Sequence, residues 1–176
     1  MTEILTARLR LRRFTHADLD VYFRTIYNDP DVMRTLPGGV PRSLEAVKTM
    51  LDWHAAHWER HGIGFFAVEA RADGAFVGQA GVFIRDLPEF ELGYAYGTTS
   101  WGKGYATEAG HACLTAAFAS GAHELICAVT DETNLGSKHV LTKLGFTRTG
   151  ETPWRDEVLP YFTLKRADYA PPMRTV

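Results

Sequence analysis

The segment Trp101-Gly102-Lys103-Gly104-Tyr105-Ala106 has the composition of an anion site, with two glycines and a lysine between an alternating apolar stretch and a run of helical periodicity. At a helix N-terminus the first amides lack an intrahelical acceptor, and the aligned peptide dipoles favour negative charge. Gly102 and Gly104 let the backbone close on phosphate oxygens without a Cβ in the way, and Lys103 adds a positive charge. An ordinary glycine turn at a helix start has the same residues, so a bare G-x-G decides nothing. Two nucleotide motifs fail here. A P-loop needs its lysine after the second glycine, whereas Lys103 precedes Gly104; the dinucleotide fingerprint needs a third small residue where Thr107 stands.

Other reactive types are sparser. His54, His57 and His61, at spacings of three, four and seven, can line one helical face, but no third-ligand cluster supports a metal. Cys113 and Cys127 lie in apolar surroundings without C-x-x-C or metal-ligand spacing, which marks buried free thiols in a reducing compartment. Asn134 stands where it caps the helix that follows it.

The elements that position these residues follow from periodicity. Alternation over residues 9–12 gives a first strand with Arg8, Arg10 and Arg12 facing solvent. Thr15-His16-Ala17-Asp18 opens a first helix that ends near Asn28-Asp29-Pro30, and Pro37-Gly38-Gly39 forces a loop. Ser43-Leu44-Glu45 caps a second helix that stops at Gly62. Residues 65–69 and 76–83 flank an Asp73-Gly74 turn as an antiparallel hairpin, with a further turn at Leu87-Pro88. In the strand over residues 90–96, Phe90, Leu92, Tyr94 and Tyr96 share one face, and Glu91, Gly93 and Ala95 the other.

Ala106, Ala109, Gly110, Cys113, Leu114, Ala117 and Phe118 fall at helical spacing, and Gly121 closes that helix. A short strand over residues 125–129, a helix over 135–144 capped by Gly145, and strands at 146–148 and 161–164 complete the chain. The order is β-α-α-β-β-β-α-β-α-β-β. It predicts a mixed α/β (α+β) fold, a largely antiparallel twisted sheet flanked by helices, and excludes a doubly wound parallel sheet.

With 176 residues, 45% of them hydrophobic, the expectation is one domain over residues 1–170, with a loose tail at 171–176. Nineteen Lys and Arg nearly balance 21 Asp and Glu, so no global field points to DNA, RNA or an anionic membrane. The first residues lack the apolar core of a signal peptide and no run is long enough to span a bilayer, which predicts a cytoplasmic protein.

The chain resembles the GNAT superfamily of acetyltransferases and, within it, the RimJ/RimL-type group. The matching blocks run from Thr6-Ala7-Arg8-Leu9-Arg10-Leu11-Arg12 through Phe76-Val77-Gly78, Glu91-Leu92-Gly93-Tyr94 and Trp101 to Ala109, ending with Asn134-x-x-Ser137 and Lys143-Leu144-Gly145-Phe146. In the superfamily signature Arg/Gln-x-x-Gly-x-Gly/Ala, Gly104 and Ala106 hold the small positions, and Trp101 replaces Arg/Gln as it does in the RimJ/RimL-like group. The resemblance implies a GNAT-like sheet and acetyl-CoA as co-substrate, with no metal. Backbone amides from Gly102 through Lys103, Gly104, Tyr105 and Ala106 to Thr107 would bind its pyrophosphate. The pantetheine arm would pair like an added strand with Tyr94, Ala95 and Tyr96, and one of these amides would polarise the thioester carbonyl. An exposed strand edge is what such pairing needs.

By the same resemblance Asn134 also hydrogen-bonds the pantetheine or the catalytic end of the cofactor, a role compatible with capping. The tyrosine that many superfamily members carry seven residues beyond this Asn, as the acid for the departing thiolate, is Leu141 here. Ser137 stands where RimJ/RimL-type enzymes carry a serine that hydrogen-bonds the sulfur; read without the family it is a solvent-facing serine near a helix start. Acetylating an amine requires a base, and Glu91 is the first candidate, against the alternative of a structural carboxylate; the three histidines rank below it. Glu108 is read as structural support for the helix N-terminus. Trp53, Trp58 and Phe65 are read as core or pocket wall.

The function implied is transfer of acetyl directly from acetyl-CoA to a primary amine, either a protein N-terminus or a small molecule. The acceptor would be recognised mainly by residues 29–64, and the family suggests a homodimer. The competing reading is a non-catalytic acyl-CoA-binding or sensing module, for which the missing tyrosine gives some footing.

Overall fold

Strands rich in alternating apolar residues come together here in one open sheet with helices on both faces. The computed structural model describes residues 3–36, 38–84, 89–121, 123–154 and 157–171. Along the chain run β1 (Glu3–Leu5), β2 (Leu9–Arg13), α1 (Leu19–Tyr22), α2 (Pro30–Met33), α3 (Leu44–His61), β3 (Phe65–Ala70), β4 (Phe76–Ile84), β5 (Phe90–Tyr96), α4 (Tyr105–Ala119), β6 (Leu125–Val129), α5 (Leu135–Leu144), β7 (Thr147–Trp154) and β8 (Glu157–Lys165). The eight strands lie in the order β1-β2-β3-β4-β5-β6-β8-β7. All neighbours are antiparallel except β5 and β6, which are parallel because α4 crosses between them. The fold is mixed α/β and mostly antiparallel, as the element order requires.

Each face of the sheet has its own core. On one side α4 and α5 bring Ala109, Cys113, Leu114, Phe118, Leu141 and Leu144 against Leu92, Tyr96 and Ile126. On the other, Tyr22, Ile26, Tyr27, Val32, Met33, Val47 and Leu51 pack around Ala95. Both faces of β5 are covered by packed elements, so Glu91 is buried along with Leu92 in the same strand. Burial of a side chain of leucine or phenylalanine size stabilises by about 1.5–3 kcal/mol, so these two layers dominate what holds the sheet in place.

Local signals account for most element ends. Ser43 Oγ accepts from Ala46 N–H and Gly62 closes α3 in the left-handed region at φ 68°. Gly145 does the same for α5 at φ 91°. The turn between β3 and β4 closes with Ala70 N–H donating to Ala75 C=O at 2.8 Å.

Three expectations need correction. The first helix is broken: a 3-10 turn at residues 16–18 leads into α1 and then a π turn at residues 23–27, closed by Asn28 N–H on Phe23 C=O at 2.8 Å. The wider turn lets Tyr22, Ile26 and Tyr27 all face the sheet, where the Tyr22 hydroxyl meets Tyr27, His54 and Gln79. Arg12 does not face solvent; it donates to both Asp18 oxygens at 2.7 and 2.8 Å and to Glu69 at 2.7 Å. Burial raises the Asp18 pKa, yet the bonds from Arg12 and Thr15 outweigh it and leave the carboxyl below its usual range. The element order also gains β1, paired with β2, and the short α2, capped by Asp29 with Pro30 in its first turn. The turn at Leu87-Pro88, Pro37 and the tail beyond Pro171 lie outside the described residues. Among the described residues no helix is long and apolar enough to cross a membrane.

Candidate active site

The site begins where β5 and β6 part. Their Cα positions match only at Glu91↔Cys127, at the start of β5, and the strands then splay. Gly97 N–H donates to Val77 C=O at 3.1 Å, in phase with the Gly78↔Tyr96 register of the β4 and β5 ladder. Alternate residues of an antiparallel ladder turn both backbone groups to the same neighbour. Glu91, Gly93 and Ala95 therefore bond to β4, whereas Leu92, Tyr94 and Tyr96 turn their groups toward the splay. Trp101 Nε1–H takes the Tyr96 carbonyl at 2.8 Å. The N–H and C=O of Tyr94 and the N–H of Tyr96 thus face the opening.

A cavity of about 780 Å³ fills this opening. It is lined by Glu91, Tyr94, Ala95, Tyr96, Trp101, Gly102, Gly104, Tyr105, Ala106, Thr107, Asn134 and Ser137. Of the residues assigned to the cofactor and, with Glu91 and Ser137, to catalysis, only Lys103 is missing from the lining; it is exposed, and its carbonyl is held by Arg8 Nη1 at 2.8 Å. Arg34, Thr35 and Leu36 after α2, Gln79 on β4, His139 on α5 and Trp154 at the end of β7 also line the cavity, and no motif marks them.

At one end of the cavity lies the N-terminus of α4. Gly102 and Gly104 adopt φ 73° and 78°, conformations that leave no room for an ordinary side chain's preferences. Glu108 N–H makes the first helical bond, to Gly104 C=O at 3.1 Å, so the amides of Tyr105, Ala106 and Thr107 precede it and carry the orphan donors of the helix. Trp101, 43% exposed, ties the loop to the end of β5. On the outer side Glu108 accepts from Thr6 Oγ1 at 2.6 Å, from Arg8 N–H at 2.9 Å and from Arg8 Nε at 2.7 Å. Burial raises the Glu108 pKa, but these donors outweigh it and hold the carboxylate below its usual range. Thr6, Arg8 and Glu108 form a latch that clamps the approach to β2 onto the loop.

At the middle of the cavity the two faces of β5 differ. Glu91, 7% exposed, shares its face with Gly93, where a Cβ would lie 2.6 Å from Phe65 Cζ and 3.0 Å from Phe83. The stacked rings of Phe65 and Phe83, 4.8 Å apart, cover that side. Tyr94 is on the opposite face, and its hydroxyl lies 2.9 Å from Ser137 Oγ and 3.1 Å from Ser137 C=O. Asn134 Oδ1 accepts Ser137 N–H at 2.9 Å, so the expected cap is present, while Asn134 Nδ2 donates to Thr35 C=O at 2.9 Å. Leu141 is fully buried in the α4 side of the core.

The histidines of α3 stand apart from the cavity lining. His54 is buried against Tyr22, and burial, aided by His57, lowers its pKa to about 3, so it is neutral. His57 Nε2 accepts Ile84 N–H at 3.3 Å. Trp58 belongs to the core and Phe65 to the cavity wall, but Trp53 is 43% exposed, against the expectation for it.

The acetyltransferase (GNAT) domain family matches residues 8–147. The uncharacterized protein YkkB of Bacillus subtilis (strain 168) is 31% identical over 147 residues, which cover 82% of this chain and 84% of that protein. The solved acetyltransferase from Agrobacterium tumefaciens str. C58 has a TM-score of 0.77 at 26% identity, covering 93% of this chain and 94% of that one. The ribosomal-protein-S5-alanine acetyltransferase from Vibrio fischeri shares the fold, with a TM-score of 0.77 at 19% identity over 97% of this chain and 100% of that one. The family match runs from Arg8 of the latch past the α5 helix that carries Ser137, and the chain belongs to the GNAT acetyltransferase family.

Proposed function

We propose that this protein is an N-acetyltransferase that moves the acetyl group of acetyl-CoA directly to a primary amine, without a covalent enzyme intermediate. The observation that carries the reading is the splayed edge of β5 running into the orphan amides of α4, a cradle shaped for an extended arm ending in a pyrophosphate. When bound, acetyl-CoA supplies the activated thioester. The amides of Tyr105, Ala106 and Thr107 hold the phosphate oxygens, and the glycines admit them. The N–H and C=O of Tyr94 and the N–H of Tyr96 hold the arm, and an amide of this edge polarises the thioester carbonyl.

On the other face Glu91 takes the amine proton, directly or through one water, in the cavity that Phe65 and Phe83 also line. Ser137 donates a hydrogen bond to the departing sulfur. The acceptor enters past Thr35, Leu36 and Trp154, which line the cavity from outside the cofactor edge. A protein N-terminal amine, as in the RimJ/RimL-type group, is supported by the resemblance of the motifs and by the shared fold of the S5-alanine enzyme. A small amine fits the same cavity.

Leu141 supports a second reading, a non-catalytic acyl-CoA-binding module, because it replaces a proton donor with a buried aliphatic side chain. Release of free thiol from acetyl-CoA across a panel of peptide and small-molecule amines separates the two. Acceptor-stimulated release with acetylated product is the expected result; cofactor binding without stimulation by any amine would leave only the module.

A further inference from the structure

In the proposed reaction Tyr94 acts only through its backbone, yet its side chain is in polar contact with the Ser137 hydroxyl. From the face of β5 opposite Glu91, the phenol reaches across to the first turn of α5 and lies 2.9 Å from Ser137 Oγ. A serine hydroxyl in a helix rotates between wells and points its proton wherever an acceptor lies. Ser137 is instead gripped at two points, its N–H by Asn134 Oδ1 at 2.9 Å and its oxygen by Tyr94. Burial pushes the Tyr94 phenol well above its ordinary range, against the smaller effect of Ser137, so it keeps its one proton, and Ser137 Oγ at 2.9 Å and Ser137 C=O at 3.1 Å are the two acceptors beside it.

We infer that Tyr94 is a positioning residue for the leaving group: its phenol gives its one proton to the nearer of its two acceptors, Ser137 Oγ rather than Ser137 C=O, and thereby turns the serine's own proton into the cavity toward the sulfur. This rests on the reading of Ser137 given above. Because the phenol occupies one lone pair of Oγ, the serine hydrogen is the one left to donate outward, and the phenol strengthens that donation. As the thioester C–S bond breaks, its electron pair stays on sulfur, Ser137 hydrogen-bonds the resulting thiolate, and water supplies the final proton. The amine proton leaves through Glu91 or water, so no oxidant or further reactant is needed. A phenol from β5, acting through Ser137, thus stands in for the tyrosine that α5 lacks at Leu141.

Tyr94→Phe removes the hydroxyl and keeps the ring in place. The expected result is a kcat roughly 10-fold lower, up to the loss of about 100-fold that removing the Ser137 hydrogen bond to the charged thiolate would bring, with the acetyl-CoA KM unchanged. The double variant with Ser137→Ala should be no slower than Ser137→Ala alone, because the two hydroxyls act as one unit. A readout without turnover is the thiol of bound CoA, titrated by its thiolate absorbance; its pKa should rise in Tyr94→Phe and in Ser137→Ala alike. A slow Ser137→Ala beside a Tyr94→Phe with wild-type kcat and thiol pKa would overturn the inference and leave the role of Ser137 standing. Wild-type behaviour of Ser137→Ala would remove both.

Discussion

At the scale of single residues, the site depends on pairs far apart in sequence. Glu108 and the Thr6 and Arg8 that hold it are separated by about a hundred positions, yet together they set the outer wall of the α4 loop. A carboxylate whose folded pKa is lowered contributes stability that is present above its unfolded pKa and is lost as pH falls through the folded value. For Glu108 that window opens at the ordinary glutamate value of 4.5 and extends below it. Urea denaturation in that range should show the wild type losing stability more steeply than Glu108→Gln, and parallel pH profiles would mean the latch contributes nothing in solution. The motif blocks made Arg8 and Glu108 visible in the sequence but not their contact, because nothing local to either residue names the other. Arg12 was misread for the same reason: alternation assigned it to solvent, and only the approach of Asp18 and Glu69 turned it inward.

At the scale of elements, the strongest signals were glycines and caps, which act within a turn and are therefore readable from sequence. The ends of α3, α5 and β6 follow from Ser43, Gly62, Gly145 and an uninterrupted apolar run. The break in the first helix was not readable, since it follows from the meeting of the Tyr22 and Tyr27 hydroxyls with Gln79, more than fifty positions onward. Gly104 tests the cap of α4. At φ 78° an alanine pays roughly 1–2 kcal/mol for the left-handed backbone, and its Cβ would meet Arg8 Nη2 at 3.4 Å. Gly104→Ala should therefore lower stability by about 1 kcal/mol and raise the acetyl-CoA KM with little change in kcat. Equilibrium denaturation and saturation kinetics check both; an unchanged KM would argue that the loop tolerates another conformation and is not preformed.

At the scale of the whole molecule, the sheet creates what no segment contains. The parallel pair β5 and β6 meets at one register position and opens into the cavity, with α4 and α5 packed on one face of the sheet and α1, α2 and the start of α3 on the other. The fold class was legible because the order of elements restricts it, and the cofactor edge was legible because it is one continuous stretch of chain. Thr35, Gln79 and Trp154 were not, because they reach the cavity from three separate elements through tertiary packing alone. The phase of the β5 ladder was also invisible in the sequence, and it separates residues that the pattern grouped: Ala95 bonds to β4, while Tyr94 and Tyr96 face the opening.

That phase gives the most direct test of the central claim, that β5 and the start of α4 form the cradle for acetyl-CoA. Amide hydrogen exchange, resolved residue by residue with and without acetyl-CoA, should show new protection at Tyr94, Tyr96, Tyr105, Ala106 and Thr107, with Ala95 already protected in both states. Binding that protects amides elsewhere while leaving these five exchanging as before would contradict the account.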